Sequence, residues 1–143
     1  MASVLVEDEI AAPIAAVWKH FANFGELGGW APGTPKVTLD GDGGTVGTVR
    51  LVESEGQPAI RERLASYDAP ARTFSYEMLG DTPFPFERYL ATVRLRDLGG
   101  ERTAIAWSST FEPRSMPEPA VVELIQNIYR MFIGNLKKTT AGG

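Results

Sequence analysis

The 143-residue sequence contains no cysteine and only one histidine, His20. Without cysteine, the chain cannot form disulfides, thiolate nucleophiles, zinc ribbons or iron–sulfur ligands. A single histidine also argues against a His-rich metal site and against a conventional Ser-His-Asp triad. We therefore expect no metal and no cofactor, so that any chemistry would come from carboxylates, tyrosines or serines.

The chain also lacks an excess of positive charge and a long apolar run. Fourteen Lys and Arg residues against eighteen Asp and Glu residues give a formal charge of −4, the wrong sign for binding phosphate backbones. No apolar stretch approaches the ~20 residues of a membrane span, and the first residues carry acids where a signal peptide carries bases. We therefore expect neither nucleic acid nor membrane as a partner, and a cytoplasmic location.

The composition that remains is typical of one globular domain. The hydrophobic fraction is 43% and the charged fraction 22%, which is too few charges for a disordered chain. At roughly 100 to 200 residues per domain, the length predicts a single domain over residues 1–143. Monomer and homodimer both stay open.

Alternating apolar and polar residues predict seven strands. The connections are short and carry glycine or proline, which favours an antiparallel sheet. The predicted strands cover residues 3–10, 36–40, 45–53, 59–67, 72–79, 86–96 and 102–111.

Two helical patterns flank the main run of strands. Pro13 at a first helical position, followed by apolar residues at helical spacing, predicts a helix over residues 13–24. Residues 115–118 have the spacing of a capping box, which predicts a long amphipathic helix ending near Lys138. Its predicted apolar stripe consists of Val121, Leu124, Ile125, Ile128, Met131, Phe132 and Leu136. Gly134 inside this helix costs about 1 kcal/mol relative to alanine, so we expect close packing against the sheet there.

The order of these elements, with the residues that fill them, is similar to that of a known superfamily. The matching residues are Ala12, Pro13, Val17, Trp18, Trp30, Pro32, Gly44, Gly47, Glu62, Arg63, Leu64, Tyr67, Asp68, Tyr89, Leu90, Ala91, Thr92, Trp107, Phe111, Pro113, Leu136 and Lys137. On these residues the chain resembles the START/Bet v 1-like (SRPBCC) helix-grip superfamily, in particular its small bacterial branch of polyketide cyclases and dehydrases. The resemblance implies an α+β helix-grip fold, in which a seven-stranded curved antiparallel sheet wraps around a long C-terminal helix, with short helices between strands 1 and 2.

The resemblance also implies a cavity between the concave face of the sheet and the last helix. The inward parity of the predicted strands supports a hollow, because it mixes aromatic residues with hydroxyls and a carboxylate that would be costly to bury without partners. A filled core with internally paired tyrosines is the alternative. We expect ligand contacts from Trp30, Leu51, Ile60, Leu64, Phe74, Met78, Phe84, Phe86, Ala91, Trp107, Ser109, Asn127, Met131 and Asn135.

Glu62 is the candidate for acid–base chemistry. Strand parity places it beside Ile60 and Leu64, and the matching position in related plant hormone receptors is a pocket acid. Burial would favour its protonated form and let it exchange protons near neutral pH. Alternatively, Glu62 is a structural acid paired with Arg61, Arg63 or a cross-strand arginine.

Tyr89 and Tyr76 are candidate phenol donors that could polarise a carbonyl or hold an oxyanion, although most buried tyrosines only pack. By resemblance to the plant receptors, residues 54–59 occupy the place of a gate loop, and residues 82–86 occupy a latch that lacks the receptors' histidine and arginine. Ala31 stands where those receptors have a pocket lysine. The cavity should therefore prefer neutral, flat, hydrophobic molecules to carboxylates.

The resemblance leaves three functions open. The first is an enzyme of the aromatase, cyclase or dehydrase kind, in which Glu62 and the tyrosines move protons. The second is a non-catalytic carrier or sensor of a small hydrophobic molecule, including a lipid. The third is a co-chaperone-like interaction protein. Outside the cavity, we expect His20 to be solvated and Arg94 and Arg96 to lie on the wet convex face of the sheet.

Overall fold

The computed structural model describes residues 1–80 and 82–141. Asp81, Gly142 and Gly143, which belong to the predicted domain, lie outside the described residues. The strands are β1 (Ala2–Ile10), β2 (Lys36–Asp40), β3 (Val49–Glu53), β4 (Ile60–Asp68), β5 (Thr73–Leu79), β6 (Phe86–Gly99) and β7 (Arg102–Pro113), and the helices are α1 (Ile14–Trp18), a 3₁₀ helix (Glu26–Gly29) and α2 (Glu118–Ala141).

The seven strands form one antiparallel sheet in the order β1-β7-β6-β5-β4-β3-β2. From β2 to β7, strands that follow each other in the chain are neighbours in the sheet, as short turns require. β1 closes the other edge by pairing with β7, and α2 packs across the inner face on β1 and β7. This is the helix-grip fold, and it confirms the predicted α+β class and the order of elements.

The two faces of the sheet have different environments, as the alternating pattern predicts. On β7 the inward residues are buried, whereas Ala104, Ala106 and Ser108 between them are half-buried. The buried set on this strand is Thr103, Ile105, Trp107, Ser109 and Phe111. One parity of each strand therefore faces α2 and the core, and the other forms the convex outer face.

The long helix begins later than the capping-box pattern predicts. Ser115 has a φ of 66°, which is a left-handed conformation outside the helix. The helix instead begins at Glu118, where the carbonyl of Pro117 accepts the N–H groups of Ala120 and Val121 at 3.1 and 3.2 Å. Because proline has no N–H to donate, Pro117 suits the residue that precedes the first turn.

The buried face of α2 differs in part from the predicted stripe. It consists of Val121, Ile125, Tyr129, Ile133 and Leu136, spaced by three or four residues as an amphipathic helix requires. Met131, which we placed in the stripe, is 54% exposed because it lies about 200° around the helix from Tyr129. No helix within residues 1–80 and 82–141 is apolar over a length that could cross a membrane.

The first helix is shorter than predicted, since α1 ends at Trp18 rather than near residue 24. Side chains take over the backbone carbonyls that a longer helix would use. Trp30 donates its indole N–H to the His20 carbonyl at 3.0 Å, and the Tyr67 hydroxyl donates to the Ala22 carbonyl at 2.7 Å. Tertiary contacts therefore override the helical pattern in this segment.

Gly134 does not mark close packing against the sheet, contrary to our expectation. A Cβ atom placed on it would meet no atom within 4 Å. Gly28 is a contrasting position, because a Cβ there would lie 2.8 Å from the Pro35 carbonyl oxygen. Gly134 therefore destabilises the helix, and no close contact requires a glycine at this position.

Gly134→Ala should raise the free energy of unfolding by about 1 kcal/mol, since alanine is the better helix former and the site has room for its methyl group. Urea denaturation followed by circular dichroism measures the change. Gly28→Ala is the control and should destabilise the protein. A Gly134→Ala variant that is less stable than wild type would contradict the described packing.

Candidate functional site

An unfilled cavity of about 330 Å³ lies between the inner face of the sheet and α2. Its volume is at the lower end of the range for small-molecule sites, roughly 300 to 1,000 Å³. The lining residues are Leu27, Pro32, Arg50, Val52, Ser54, Gln57, Pro58, Ile60, Glu62, Tyr76, Met78, Pro83, Phe84, Phe86, Tyr89, Trp107, Ile125, Ile128, Tyr129, Met131 and Phe132. The wall is mostly aliphatic and aromatic, with a few polar groups.

Many of the residues that sequence reasoning chose lie in this wall. They are Ile60, Glu62, Tyr76, Met78, Phe84, Phe86, Tyr89, Trp107 and Met131. They come from β4, β5, β6, β7, α2 and the loop before β6. The fold therefore brings together residues that are far apart in sequence, and their roles toward a ligand stay predictions.

Four other predicted residues lie behind the wall rather than in it. Leu64 and Ala91 are core residues with 1% and 0% exposure. Trp30 and Phe74 pack on Phe21 with ring centroids 5.2 and 5.7 Å apart. All four support the cavity from outside its surface.

Leu51, Asn127 and Asn135 also lie outside the cavity. Leu51 has the parity opposite to Arg50 on β3, and Arg50 is the residue that faces inward. Asn127 is exposed on α2. The Asn135 side chain donates a hydrogen bond to the Trp30 carbonyl at 2.9 Å, so it fastens α2 to the segment after the 3₁₀ helix.

Two buried polar atoms have no hydrogen-bond partner within residues 1–80 and 82–141, namely Ser109 Oγ and His20 Nε2. Ser109 lies on β7 outside the cavity wall. His20 is half-buried, not solvated as expected, and it borders a chamber of about 10 Å³, room for one water. Burial, and then the charge of Lys19, lower the pKa of His20, so its imidazole is neutral at pH 7.

An ion pair lies in the wall of the cavity. Arg50 and Glu62 are register partners on β3 and β4, and Arg50 Nε donates to Glu62 Oε1 at 2.9 Å. Their side chains are only 7% and 11% exposed. Glu62 is therefore not a lone acid. Of the arginine partners considered above, a cross-strand arginine is the one that the structure shows, and an acid–base role of Glu62 stays a prediction.

Three further contacts hold the Arg50 guanidinium in place. Its Nη1 donates to the Phe24 carbonyl at 3.2 Å. Its Cζ lies 3.8 Å from the centroid of the Phe24 ring and 5.0 Å from that of Tyr76, and such cation–π contacts strengthen when water is excluded. Glu62 Oε2 forms no hydrogen bond with any described residue, so this oxygen is left for a molecule in the cavity.

Three tyrosines add hydroxyl groups to the site. Tyr89 and Tyr129 share a hydrogen bond, and the indole N–H of Trp107 donates to the Tyr76 hydroxyl oxygen at 3.2 Å. Burial raises the pKa of all three phenols well above the usual value. Each therefore stays protonated at pH 7. The Tyr76 oxygen accepts from Trp107, and its O–H donates to none of the residues that the structure describes, so this proton is available to a ligand.

A β-bulge positions one of these tyrosines. The register between β6 and β7 shifts between Glu87 and Leu90, and Arg88 has a φ of 54°. An extra residue in a strand re-aims the side chains that follow it. Phe86 and Tyr89, which are three residues apart, consequently both face inward and line the cavity.

Two loops border the opening of the cavity. The segment 54–59 contributes lining residues from one side, and Phe84 does so from the other. Phe84 stacks on Phe86 with centroids 5.2 Å apart. Arg114 fastens this second loop, donating to the Thr82 carbonyl at 2.6 Å and to the Phe84 carbonyl at 3.4 Å.

Sequence reasoning missed Arg50 and Tyr129. Arg50 stands between Val49 and Leu51. This alternation indicates a strand whose apolar residues face the core and whose arginine faces solvent. Tyr129 follows Ile125 by four residues, and this spacing could have found it. Within the part of the chain that the structure describes, no three acidic or histidine side chains gather as a set of metal ligands.

Comparison with known proteins agrees with this architecture. The family model described as polyketide cyclase/dehydrase and lipid transport matches residues 1–141. No curated protein matches the chain. Solved structures of similar fold are numerous.

The protein XoxI from Bacillus cereus is 25% identical, with a TM-score of 0.88 over 99% of this chain and 96% of that one. An uncharacterised protein from Bacillus thuringiensis is 24% identical, with a TM-score of 0.87 over 98% and 99%. Norcoclaurine synthase from Thalictrum flavum, solved with dopamine and hydroxybenzaldehyde, is 20% identical, with a TM-score of 0.74 over 99% and 87%. With the family match over nearly its whole length, the chain belongs to the polyketide cyclase/dehydrase and lipid transport family.

Proposed function

We propose that this protein binds a small, uncharged, flat hydrophobic molecule in the cavity between the sheet and α2. The observation that carries this function is the unfilled 330 Å³ space itself, because cores normally close-pack and leave few voids larger than a water. Its mostly apolar wall with a few convergent polar groups is the composition of a ligand site. We expect the protein to act in the cytoplasm and without a cofactor.

The polar groups favour a neutral ligand that carries a hydrogen-bond acceptor. Arg50 and Glu62 already neutralise each other, so a charged ligand would have to displace one of them. Tyr76 has an unused O–H in the same wall. An aromatic ketone or a polyketide-like chain would place its carbonyl oxygen at Tyr76 and its ring among Phe86, Trp107 and Phe132.

The solved complex of norcoclaurine synthase with dopamine and hydroxybenzaldehyde supports an aromatic ligand. Both of its ligands are single aromatic rings with polar substituents, and they are bound by a protein of the same fold. The likeness at 20% identity concerns the fold. It therefore supports the class of ligand and not a shared reaction.

Proton transfer is a second candidate function, and the free Oε2 of Glu62 favours it. This oxygen could accept a proton from a carbon next to the ligand's carbonyl, while Tyr76 stabilises the developing enolate oxygen. The raised pKa of Tyr76 suits it to donate a hydrogen bond and not to act as the base. Cyclisation and dehydration of a polyketide both begin with such a step. A carrier or sensor would use the same cavity without it.

Removing the Tyr76 hydroxyl should weaken ligands that carry an acceptor. For Tyr76→Phe we expect about 2- to 10-fold weaker binding of 2-acetylnaphthalene, the loss of one hydrogen bond, and little change for 2-ethylnaphthalene, which has no carbonyl. Quenching of tryptophan fluorescence measures both affinities, since Trp107 lines the cavity.

Tyr67→Phe is the matched control for this pair of probes, because the Tyr67 hydroxyl bonds the Ala22 carbonyl outside the cavity. It should leave both affinities unchanged. If Tyr76→Phe weakened the affinity for both probes equally, a hydrogen-bonding role of Tyr76 would be contradicted. Wild type that binds neither probe would contradict the proposed ligand class.

Hydrogen–deuterium exchange on a ketone separates the enzyme from the carrier. If Glu62 acts as a general base, wild type should speed exchange of the protons next to the carbonyl of 1-tetralone in D₂O, as followed by NMR. Glu62→Gln should reduce this acceleration by about 100-fold or more, and Tyr67→Phe should not. If 1-tetralone binds but its protons exchange no faster than in buffer, proton transfer is ruled out and the carrier or sensor function remains.

A further inference from the structure

On the convex side of the sheet, charges of opposite sign lie on the two strands that flank β7. The register of the three strands aligns Glu9, Ala104 and Arg96 in one row, and Glu7, Ala106 and Arg94 in the next. The four charged side chains are exposed. We call the outward residues of β1, β7 and β6 in this region the β7 outer face: an acidic edge, a floor of small residues and a basic edge.

These charges are largely unused within the molecule. Among the described residues, Glu7, Arg94 and Arg96 form no ion pair. Glu9 pairs with Arg102, and both side chains of that pair are more than half exposed. Because neighbouring strands are about 4.8 Å apart, the two edges are separated by about 10 Å across β7. They therefore face solvent separately.

Two exposed leucines lie on the same face. Leu5 is 55% exposed and Leu90 is 41% exposed. Leu5 stands on β1 beside Ser108, and Leu90 stands on β6 beside Thr110, one outward row further along β7. Each edge thus carries one large apolar side chain on the same side of its two charges, Leu5 in the row after Glu7 and Leu90 two rows after Arg94.

We propose that the β7 outer face binds the same face of a second copy of this chain, around a two-fold axis that runs along β7. Rotation about such an axis exchanges the two edges while keeping the position along the strand. It places Glu7 and Glu9 of each copy opposite Arg94 and Arg96 of the other. The face is therefore complementary in charge to itself, as an isologous dimer requires.

The same rotation brings the leucines together. Leu5 of one copy and Leu90 of the second come to the same side of the axis, one row or about 7 Å apart along the strands, within reach of contact. The small side chains of Ala104 and Ala106 on the axis let the two sheets approach. Packed sheets lie about 10 Å apart with their strands about 30° from parallel.

The size of the face determines what kind of dimer forms. Strand spacing and rise per residue give the rows at 104–110 a footprint on the order of 350 Å², well below the roughly 800 Å² per partner of a standard interface. We infer a reversible dimer that forms at high protein concentration and weakens with salt. The cavity lies on the other side of the sheet, so its opening stays accessible and this dimer is independent of the ligand.

Sedimentation equilibrium on the full chain from about 10 μM to about 1 mM tests the dimer. Wild type should show monomer and dimer in exchange. Two charge-reversed variants, Arg94→Glu/Arg96→Glu and Glu7→Arg/Glu9→Arg, should each be monomeric, because like charges would then meet. An equimolar mixture of the two variants should recover the dimer as a heterodimer.

Arg61→Glu, an exposed charge change on β4 away from this face, is the control and should dimerise like wild type. Thermal unfolding of each variant establishes that the reversals leave the fold intact. Wild type that stays monomeric over the whole concentration range would overturn the proposal. So would reversed variants that dimerise alone, or a mixture that does not.

Discussion

A guanidinium and a carboxylate that leave water together must find their partners inside the protein, or each costs several kcal/mol. Arg50 finds them on three separate elements. Glu62 on β4 supplies the opposite charge, the segment after α1 supplies the Phe24 carbonyl and ring, and β5 supplies the ring of Tyr76. The ion pair therefore ties the inner face of the sheet to the chain that follows α1, at the place where the cavity begins.

Such a pair adds little stability compared with well-packed apolar residues of similar size. Its position in the wall of an unfilled space is more informative. The pair is neutral as a whole, and among residues 1–80 and 82–141 neither Glu62 Oε2 nor the O–H of Tyr76 in the same wall has a hydrogen-bond partner to accept from or donate to. These features fit a site that receives uncharged molecules and orients a carbonyl group.

The sequence was sufficient for the fold, because that information is periodic and distributed along the chain. All seven strands and the long helix follow from spacing. The predicted bounds differ where tertiary contacts intervene, as at the carbonyls captured by Trp30 and Tyr67, and where local backbone geometry intervenes, as at the left-handed Ser115 before α2. The candidate site was harder to predict. The Arg50 side chain faces inward because Glu62 on the neighbouring strand pairs with it. The alternation of residues within one strand cannot reveal such a partner.

Other details of the site depend on local backbone geometry. The bulge at Arg88 lets two residues three apart face the same side, and no period-two pattern anticipates it. Asn135 on the last helix is a predicted ligand contact, yet its amide donates to the Trp30 carbonyl and holds the helix against that segment. Whether a polar side chain near the cavity faces a ligand or bonds the protein itself therefore depends on its hydrogen-bond partners. Those partners are far apart in sequence and meet only in the folded chain.

A double-mutant cycle on Arg50 and Glu62 tests the central claim most directly. Urea denaturation of Arg50→Met, Glu62→Met and the double variant gives the free energy that couples the two side chains. Each single variant should lose about 3 to 5 kcal/mol, because it leaves one buried charge unpaired. The double variant should recover about 2 kcal/mol or more of the summed loss. Losses that simply add would show that the two charges do not depend on each other and would contradict this account of the cavity.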